Sequence, residues 1–136
     1  MEKYDYSTEA YYYLTICTKD RKKVLSAISS DAEFGACVTL TGFGQVVDTF
    51  IRSIPGIDKY VIMPNHIHMI IHKTNEKSII SDMRAFKSLV TKKIGEPIWQ
   101  DSYYDHVIRN EADYQEKWQY IENNPIKWAE DEYYNN

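Results

Sequence analysis

Two short apolar runs, residues 59–63 and 67–73, stand on either side of Pro64-Asn65. Each run is too short for a stable helix, and the pair between them favours a turn, so this stretch predicts two strands joined as a hairpin. A hairpin in mid-chain constrains its surroundings: each neighbouring segment must extend the sheet or cover one of its faces. Upstream, residues 11–18 (YYYLTICT) are rich in aromatic and β-branched side chains and read as a strand. KDRKK then reads as a charged turn or a strand extension. Residues 24–38 are ambiguous, with Ser29, Ser30 and Asp31 marking a turn. Thr41 is placed to cap a helix running to about Ile54, with Phe43, Val46, Val47, Phe50, Ile51 and Ile54 at helical spacing and Pro55-Gly56 as its stop. Downstream, Ser78 or Ser81 is placed to cap a second long helix with Ile80, Met83, Phe86, Leu89, Val90 and Ile94 on one face, ended by Gly95. Residues 99–108 read as a fourth, partly irregular strand and 111–123 as a third helix. Pro125 opens a last helical turn.

The order β-α-β-β-α-β-α predicts an α+β chain. It is the ferredoxin-like split βαβ pattern, an antiparallel sheet with helices on one face and an added C-terminal helix. The other face would be left open for a ligand. At 136 residues, with no linker, low-complexity run or repeat, the chain reads as one domain over 1–136. No apolar run approaches the ~18 residues of a membrane span, and the opening MEKYDYSTEA lacks the apolar core of a signal peptide, so a cytoplasmic location without a membrane is expected. Cys17 and Cys37 lie in apolar contexts without CxxC spacing and read as reduced, partly buried thiols.

The formal net charge of -4 counts against a non-specific nucleic-acid binder. The charge is unevenly spread, however. Lys19, Arg21, Lys22 and Lys23 cluster early, and Arg84, Lys87, Lys92 and Lys93 cluster midway. Much of the acid falls late, as in Glu130, Asp131 and Glu132. A local basic groove on an acidic protein is compatible with this pattern, as are two solvated faces. Tyrosine is abundant, at twelve residues, and a few could stack on unpaired bases.

The segment His66-Ile67-His68 carries the clearest chemistry. On a strand, both histidines project to the same side, ~7 Å apart at Cα for a rise of ~3.3–3.4 Å per residue. Two imidazoles so placed can converge on one cation while Ile67 enters the core. His72 shares their nominal face, as a peripheral ligand, a phosphate contact or a solvated strand end. Far along the chain, Tyr120 and Asn124 share one face of the third helix, with Cβ atoms ~5–6 Å apart. A phenol with a pKa near 10 is a weak nucleophile at neutral pH. A cation that withdraws charge from a phosphodiester makes its attack feasible, and an amide oxygen one turn along offers a third ligand. Other readings stay open. Asn124 could cap a new helix that has Pro125 at its first position, Pro125 disfavours helical dihedrals at Asn124, and Asn123 competes as the ligand.

These residues resemble a family. VIMPNHIHMII is similar to the HUH motif of single-tyrosine transposases, in particular the REP-associated tyrosine transposases. The resemblance continues through SDMRAFKS, IWQDSYYDHVIR and YIENNPIKW, and the opening YYYLTICTKDRKKVL is similar to that family's first strand and basic turn. It covers roughly residues 10–128, with the motifs in the family's order. It implies a ferredoxin-like sheet, metal ligation by His66, His68 and Asn124, and Tyr120 as nucleophile, with Mg²⁺ or Mn²⁺ as cofactor. It further implies cleavage of single-stranded DNA beside hairpins through a 5′-phosphotyrosine that frees a 3′-hydroxyl, in a monomer or a homodimer. Lys19, Arg21, Lys22, Lys23, Arg84, Lys87 and Arg109 are the candidates for DNA contact. His106 fits the family string but not the metal set, and Asp105-His106 reads as a structural pair.

The chain departs from the pattern in its acidic balance and in ending on EDEYYNN rather than a long basic extension. Two rival readings are weighed against it. HIHMIIH superficially resembles the string of histidine-triad phosphohydrolases, but the third triad position is Ile70, so that nucleophile is missing. A domesticated DNA-binding module without cleavage activity is the alternative from the binding class, and the presence of all four active-site residue types argues against it.

Overall fold

The computed structural model of the chain describes residues 10–31, 35–73 and 76–128. The acidic C-terminal residues Glu130, Asp131 and Glu132, and the N-terminal residues 1–9, lie outside them. Six strands and three helices follow in order: β1 (Ala10–Cys17), β2 (Ser26–Asp31), β3 (Gly35–Leu40), α1 (Gly42–Arg52), β4 (Ile57–Ile62), β5 (His66–Lys73), α2 (Glu76–Ile94), β6 (Tyr104–Ile108) and α3 (Glu111–Asn123). Four strands form one antiparallel sheet in the order β4-β5-β1-β6, and β2 and β3 pair separately. The expected hairpin is β4–β5, and the four-stranded order is that of the split βαβ arrangement.

Alternation along the strands divides the sheet into two chemically different faces. Tyr12, Leu14 and Ile16 of β1 join Ile67, Met69 and Ile71 of β5 in a core closed by Val47 and Ile51 of α1 and by Ile79, Met83, Phe86 and Val90 of α2. Tyr13 and Ile70 point the other way and meet Ile108 and Ile121. The second face therefore carries α3 rather than lying bare, as the placement of the tyrosine helix requires.

Three expectations need correction. The ambiguous segment 24–38 contains most of a β-hairpin, and Ser29, Ser30 and Asp31 lie in its first strand. This pair of strands sits outside the main sheet, and β3 alternates only between exposed and half-buried, a pattern too shallow to read from one strand. Helix α2 starts at Glu76, upstream of both Ser78 and Ser81. Its buried stripe runs Ile79, Met83, Phe86, Val90, while Ile80 and Leu89 are exposed at 44% and 45%. Only the regular part of the fourth strand, Tyr104–Ile108, pairs continuously; Trp99 makes a lone bridge to Thr18.

Helix α1 begins as expected: Thr41 is its N-cap, and its hydroxyl accepts from Gly44 N at 3.0 Å. Gly44 is needed for close approach, because a Cβ there would stand 2.0 Å from the Leu25 carbonyl oxygen. That oxygen is backbone and already accepts from Thr41 N at 3.0 Å, so it cannot move aside cheaply. Gly44→Ala should lower stability by about 1–3 kcal/mol, read as a drop in urea midpoint. Gly42→Ala, where nothing lies within 4 Å, should leave the midpoint nearly unchanged. Equal midpoints for the two variants would contradict the packing described.

Candidate active site

His66 opens β5 and His68 follows on the same face. Both are buried, at 0% and 2% exposure, with ring centroids 4.6 Å apart and planes at 74°. Their placement begins with the turn before them. Leu25 N donates to Pro64 O at 3.0 Å, and Thr18 donates to Asn65 O from its backbone N at 3.0 Å and its hydroxyl at 3.1 Å. Asn65 is thus held rigidly, fully buried, one residue ahead of His66.

The Asn65 side chain determines which nitrogen of His66 carries the proton. Its amide nitrogen donates to Arg21 O at 3.2 Å, so its oxygen is the atom 2.9 Å from His66 Nδ1. An amide oxygen only accepts, so Nδ1 must carry the hydrogen, and in the neutral ring the lone pair lies on Nε2. Arg21 presents that carbonyl from a 3₁₀ turn, Lys19–Arg21, in which Asp20 and Arg21 are left-handed at φ 56° and 52°. Such backbone costs on the order of 1–3 kcal/mol per residue. For His68, Nδ1 lies 2.8 Å from the Tyr13 hydroxyl and 2.9 Å from the Thr15 hydroxyl. The ring is further packed against Tyr13, with centroids 5.6 Å apart.

Helix α3 brings the remaining groups. Asn110 caps its start, accepting from Asp113 N at 2.8 Å. Ile121 is buried against the sheet, which stabilises the docking by roughly 1.5–3 kcal/mol. The exposed Lys59–Glu122 ion pair at 2.6 Å adds less. Lys59 also lies 3.8 Å over the Trp118 ring. A bulge between Ile57 and Lys59 leaves Asp58 outside the register, and Asp58 accepts from the Tyr114 hydroxyl at 2.5 Å. His106 pairs with Asp113 at 2.7 Å, not with Asp105, because Asp105 and His106 point to opposite faces of β6. Hydrogen bonds from His106 and Lys117 outweigh the effect of burial and hold the Asp113 carboxyl below its usual range.

With α3 docked in this way, the Tyr120 ring stands 5.2 Å from that of His68, centroid to centroid, and is 44% exposed. One turn on, Asn124 is buried at 3% exposure. Its dihedrals are helical, φ -58° and ψ -45°, so Pro125 does not displace it, and it closes α3 instead of opening a new helix. The Asn124 side chain lies close enough to His66 to raise its proton affinity, and Asn123 is only half-buried. Of the two asparagines, Asn124 is the one at the histidine pair. Among the described residues, Asn124 Oδ1 and His68 Nε2 are buried and make no hydrogen bond. Trp128 covers His66 from beyond the helix, with centroids 6.0 Å apart.

No group of three or more His, Cys, Asp or Glu side chains among the described residues is placed to hold a metal ion. The donors that converge here are two imidazoles and an amide. Burial pushes His66 down to about 3, with Asn124 opposing and the Arg21 charge assisting. Burial, then the neighbouring His66, pushes His68 well below its ordinary value. Both rings are therefore neutral donors at physiological pH.

The basic candidates divide. Segment 19–23 borders the site: the Arg21 charge reaches His66, and Lys23 lies 5.7 Å over the Trp128 ring. Arg84 and Lys87 are on α2, on the opposite side of the sheet, where Lys87 donates to the carbonyls of Gln100 at 2.7 Å and Asp101 at 3.2 Å. Arg109 follows Ile108, which pairs with Tyr11, whereas His66 pairs with Cys17. That separation is about 20 Å along the strand. His72 stacks on Tyr11 at 4.4 Å and joins neither group. Cys17 is half-buried and Cys37 exposed, and neither is in a disulfide among the described residues.

Burial of two neutral imidazoles has a thermodynamic consequence. Their folded-state affinities for protons lie below the unfolded value, so the stability they contribute is complete above about pH 6.5 and is lost as pH falls towards the folded pKa. In chelator, unfolding free energy should fall below pH 6.5 by about 1.4 kcal/mol per pH unit for each histidine. His68→Gln should remove about one proton from that slope between pH 6.5 and 4. Parallel profiles for the two proteins would contradict the burial of His68 as a neutral ring.

Known proteins resemble the chain in sequence and in fold. No family model matches the chain. An uncharacterised protein of Haemophilus influenzae is 32% identical over 98% of this chain and 90% of its own length. The REP-associated tyrosine transposase of Escherichia coli is 34% identical over a segment covering 52% of this chain and 44% of that protein. The structure of a REP-associated tyrosine transposase bound to a REP hairpin superposes with a TM-score of 0.68 at 24% identity, covering 94% of this chain and 74% of that one. A protein of Deinococcus radiodurans assigned as a transposase superposes at 0.52 with 22% identity, covering 90% and 97%. Sequence and fold agree: the chain belongs to one family with the Haemophilus influenzae protein, shares a segment with a REP-associated tyrosine transposase and has the fold of one.

Proposed function

We propose that this protein is a divalent-metal-dependent nuclease and strand transferase for single-stranded DNA, cutting beside hairpins with Tyr120 as its nucleophile. Its similarity in sequence and fold to REP-associated tyrosine transposases supports a transposase-like role in DNA processing. The observation that carries the finer reading is the position of Tyr120 over His68, with Asn124 one turn further on beside His66. A structural tyrosine on this helix would gain nothing from two fully buried histidines below it. Buried polar atoms ordinarily find partners, and those here converge without satisfying each other.

His66 and His68, each through Nε2, and Asn124 through Oδ1 would hold the metal. Mg²⁺ or Mn²⁺ bound there supplies Lewis acidity towards a phosphodiester oxygen. The imidazoles favour Mn²⁺. All three ligands are neutral, so none of the ion's charge is cancelled by the protein. In the proposed step the Tyr120 oxygen forms a bond to phosphorus, the bond from phosphorus to the 3′-oxygen breaks, and that oxygen takes a proton. The phenolic proton leaves towards solvent, to which the half-exposed ring has access. One phosphoester is exchanged for another, so a 3′-hydroxyl of a second strand can reverse the step without an external energy source. The basic segment 19–23, beside His66, suits the strand's phosphates. The relative that was solved with a REP hairpin supports hairpin-bearing DNA as the substrate class.

Wild-type protein incubated with Mn²⁺ and labelled hairpin DNA bearing single-stranded flanks should form a protein–DNA adduct that survives denaturation. Tyr120→Phe or chelator should abolish it. An adduct that persists in Tyr120→Phe would refute the nucleophile, and tight binding to a cognate site with no adduct would favour the non-cleaving module. Asn65→Leu should weaken Mn²⁺ binding about 10–100-fold, measured by titration calorimetry, because the ring proton of His66 loses its acceptor. Unchanged affinity would contradict the role assigned to Asn65.

A further inference from the structure

We propose that the cavity beside Tyr120 receives one unstacked nucleobase, the neighbour of the phosphodiester presented to that tyrosine. The inference rests on the DNA reading above but uses different atoms. The cavity measures about 370 Å³; Tyr13, Tyr104 and Tyr120 form its aromatic walls, Glu116 and Lys117 of α3 line one side, and His68 is its inner limit. Tyr104 stands out on β6 at 58% exposure, with its ring edge-on to that of Tyr13 at 6.4 Å and 73°. Tyr13 in turn meets Tyr120 at 6.5 Å and 77°. A large aromatic side chain held out of the core beside a cavity offers a flat face, and every base has a π-face to match it.

Charge separates a base from a phosphate as the occupant. Lys117 donates to Asp113 at 3.0 Å and to Glu116 at 3.0 Å. Two carboxylates against one ammonium leave these three side chains at -1, which disfavours an anion. An uncharged, flat group with donors and acceptors along its edge fits both the tyrosine walls and the Glu116–Lys117 pair. Segment 19–23 lies on the His66 side, away from this cavity. The bound strand therefore places a base at the Tyr104 side and its phosphates at the basic side, with the reacting phosphodiester between them.

The test is fluorescence anisotropy with a labelled DNA hairpin carrying a single-stranded tail of mixed sequence, in Tyr120→Phe protein with EDTA, so that neither cleavage nor metal enters. Tyr104→Ala in that background should weaken binding about tenfold, whereas Tyr104→Phe, which keeps the ring, should bind as the parent does. Far-ultraviolet circular dichroism checks that both variants fold. With a tail made abasic throughout, the parent and Tyr104→Ala proteins should bind alike. Equal affinity of the two for the intact tail, an undiminished difference on the abasic tail, or no binding by the parent overturns the proposal. A Tyr104 effect in a protein whose wild type forms no adduct keeps the nucleobase pocket and removes the nuclease reading.

Discussion

The docking of α3 across the second face of its own sheet is the contact on which the candidate site depends. Ile121 among Tyr13, Ile70 and Ile108 provides the apolar anchor. Around it, Tyr114 on Asp58, Lys59 between Glu122 and Trp118, and His106 on Asp113 fix the helix's rotation and register. Most of these polar contacts are exposed and weak singly. Their effect is geometric: a rotation of α3 by one residue would carry Tyr120 and Asn124 together off the histidine pair. Burial of Ile121 and the placement of Tyr120 over His68 are thus consequences of one orientation.

Beneath the helix the protein has buried two neutral imidazoles, a costly choice unless their nitrogens are used. Asn65 shows how the cost is contained at His66. Its amide is bonded on both sides, to Arg21 O and to His66 Nδ1, so one ring nitrogen is satisfied and the lone pair is left on the other. The left-handed turn at Asp20 and Arg21 is part of the same device, because it supplies the carbonyl that orients Asn65. The basic turn therefore serves the histidine pair twice, through its backbone and through the charge of Arg21.

Much of this was legible in the sequence. The 59–73 hairpin, the Thr41 cap, the Gly95 stop and α3 are written in local patterns, since each depends on turn chemistry or on one helical period. The separate β2–β3 hairpin was not, because it packs outside the main sheet and its burial pattern, alternating between exposed and half-buried in β3, is too shallow to read from one strand. At the site, the pairing of His66 with His68 and of Tyr120 with Asn124 followed from periodicity, but which asparagine meets the histidine pair depended on the dihedrals at Asn124, which spacing does not specify. Asn65 was visible only as a turn residue. Its role needs the distant Arg21 carbonyl, a contact no local pattern encodes. Charge clustering carries no distance: Arg84, Lys87 and Arg109 are basic in sequence and lie on another face or at another end of the sheet from the histidine pair.

The central claim is that one chain supplies both the histidine pair and the tyrosine helix. Mixing two variants, Tyr120→Phe and His68→Gln, each expected to be unable alone to form the adduct proposed for wild type with Mn²⁺ and hairpin DNA, tests it directly. A mixture that remains inactive at all protein concentrations is the predicted result. Recovery of the adduct in the mixture, on the His68→Gln chain, would show that α3 serves a partner's histidines and would contradict the account.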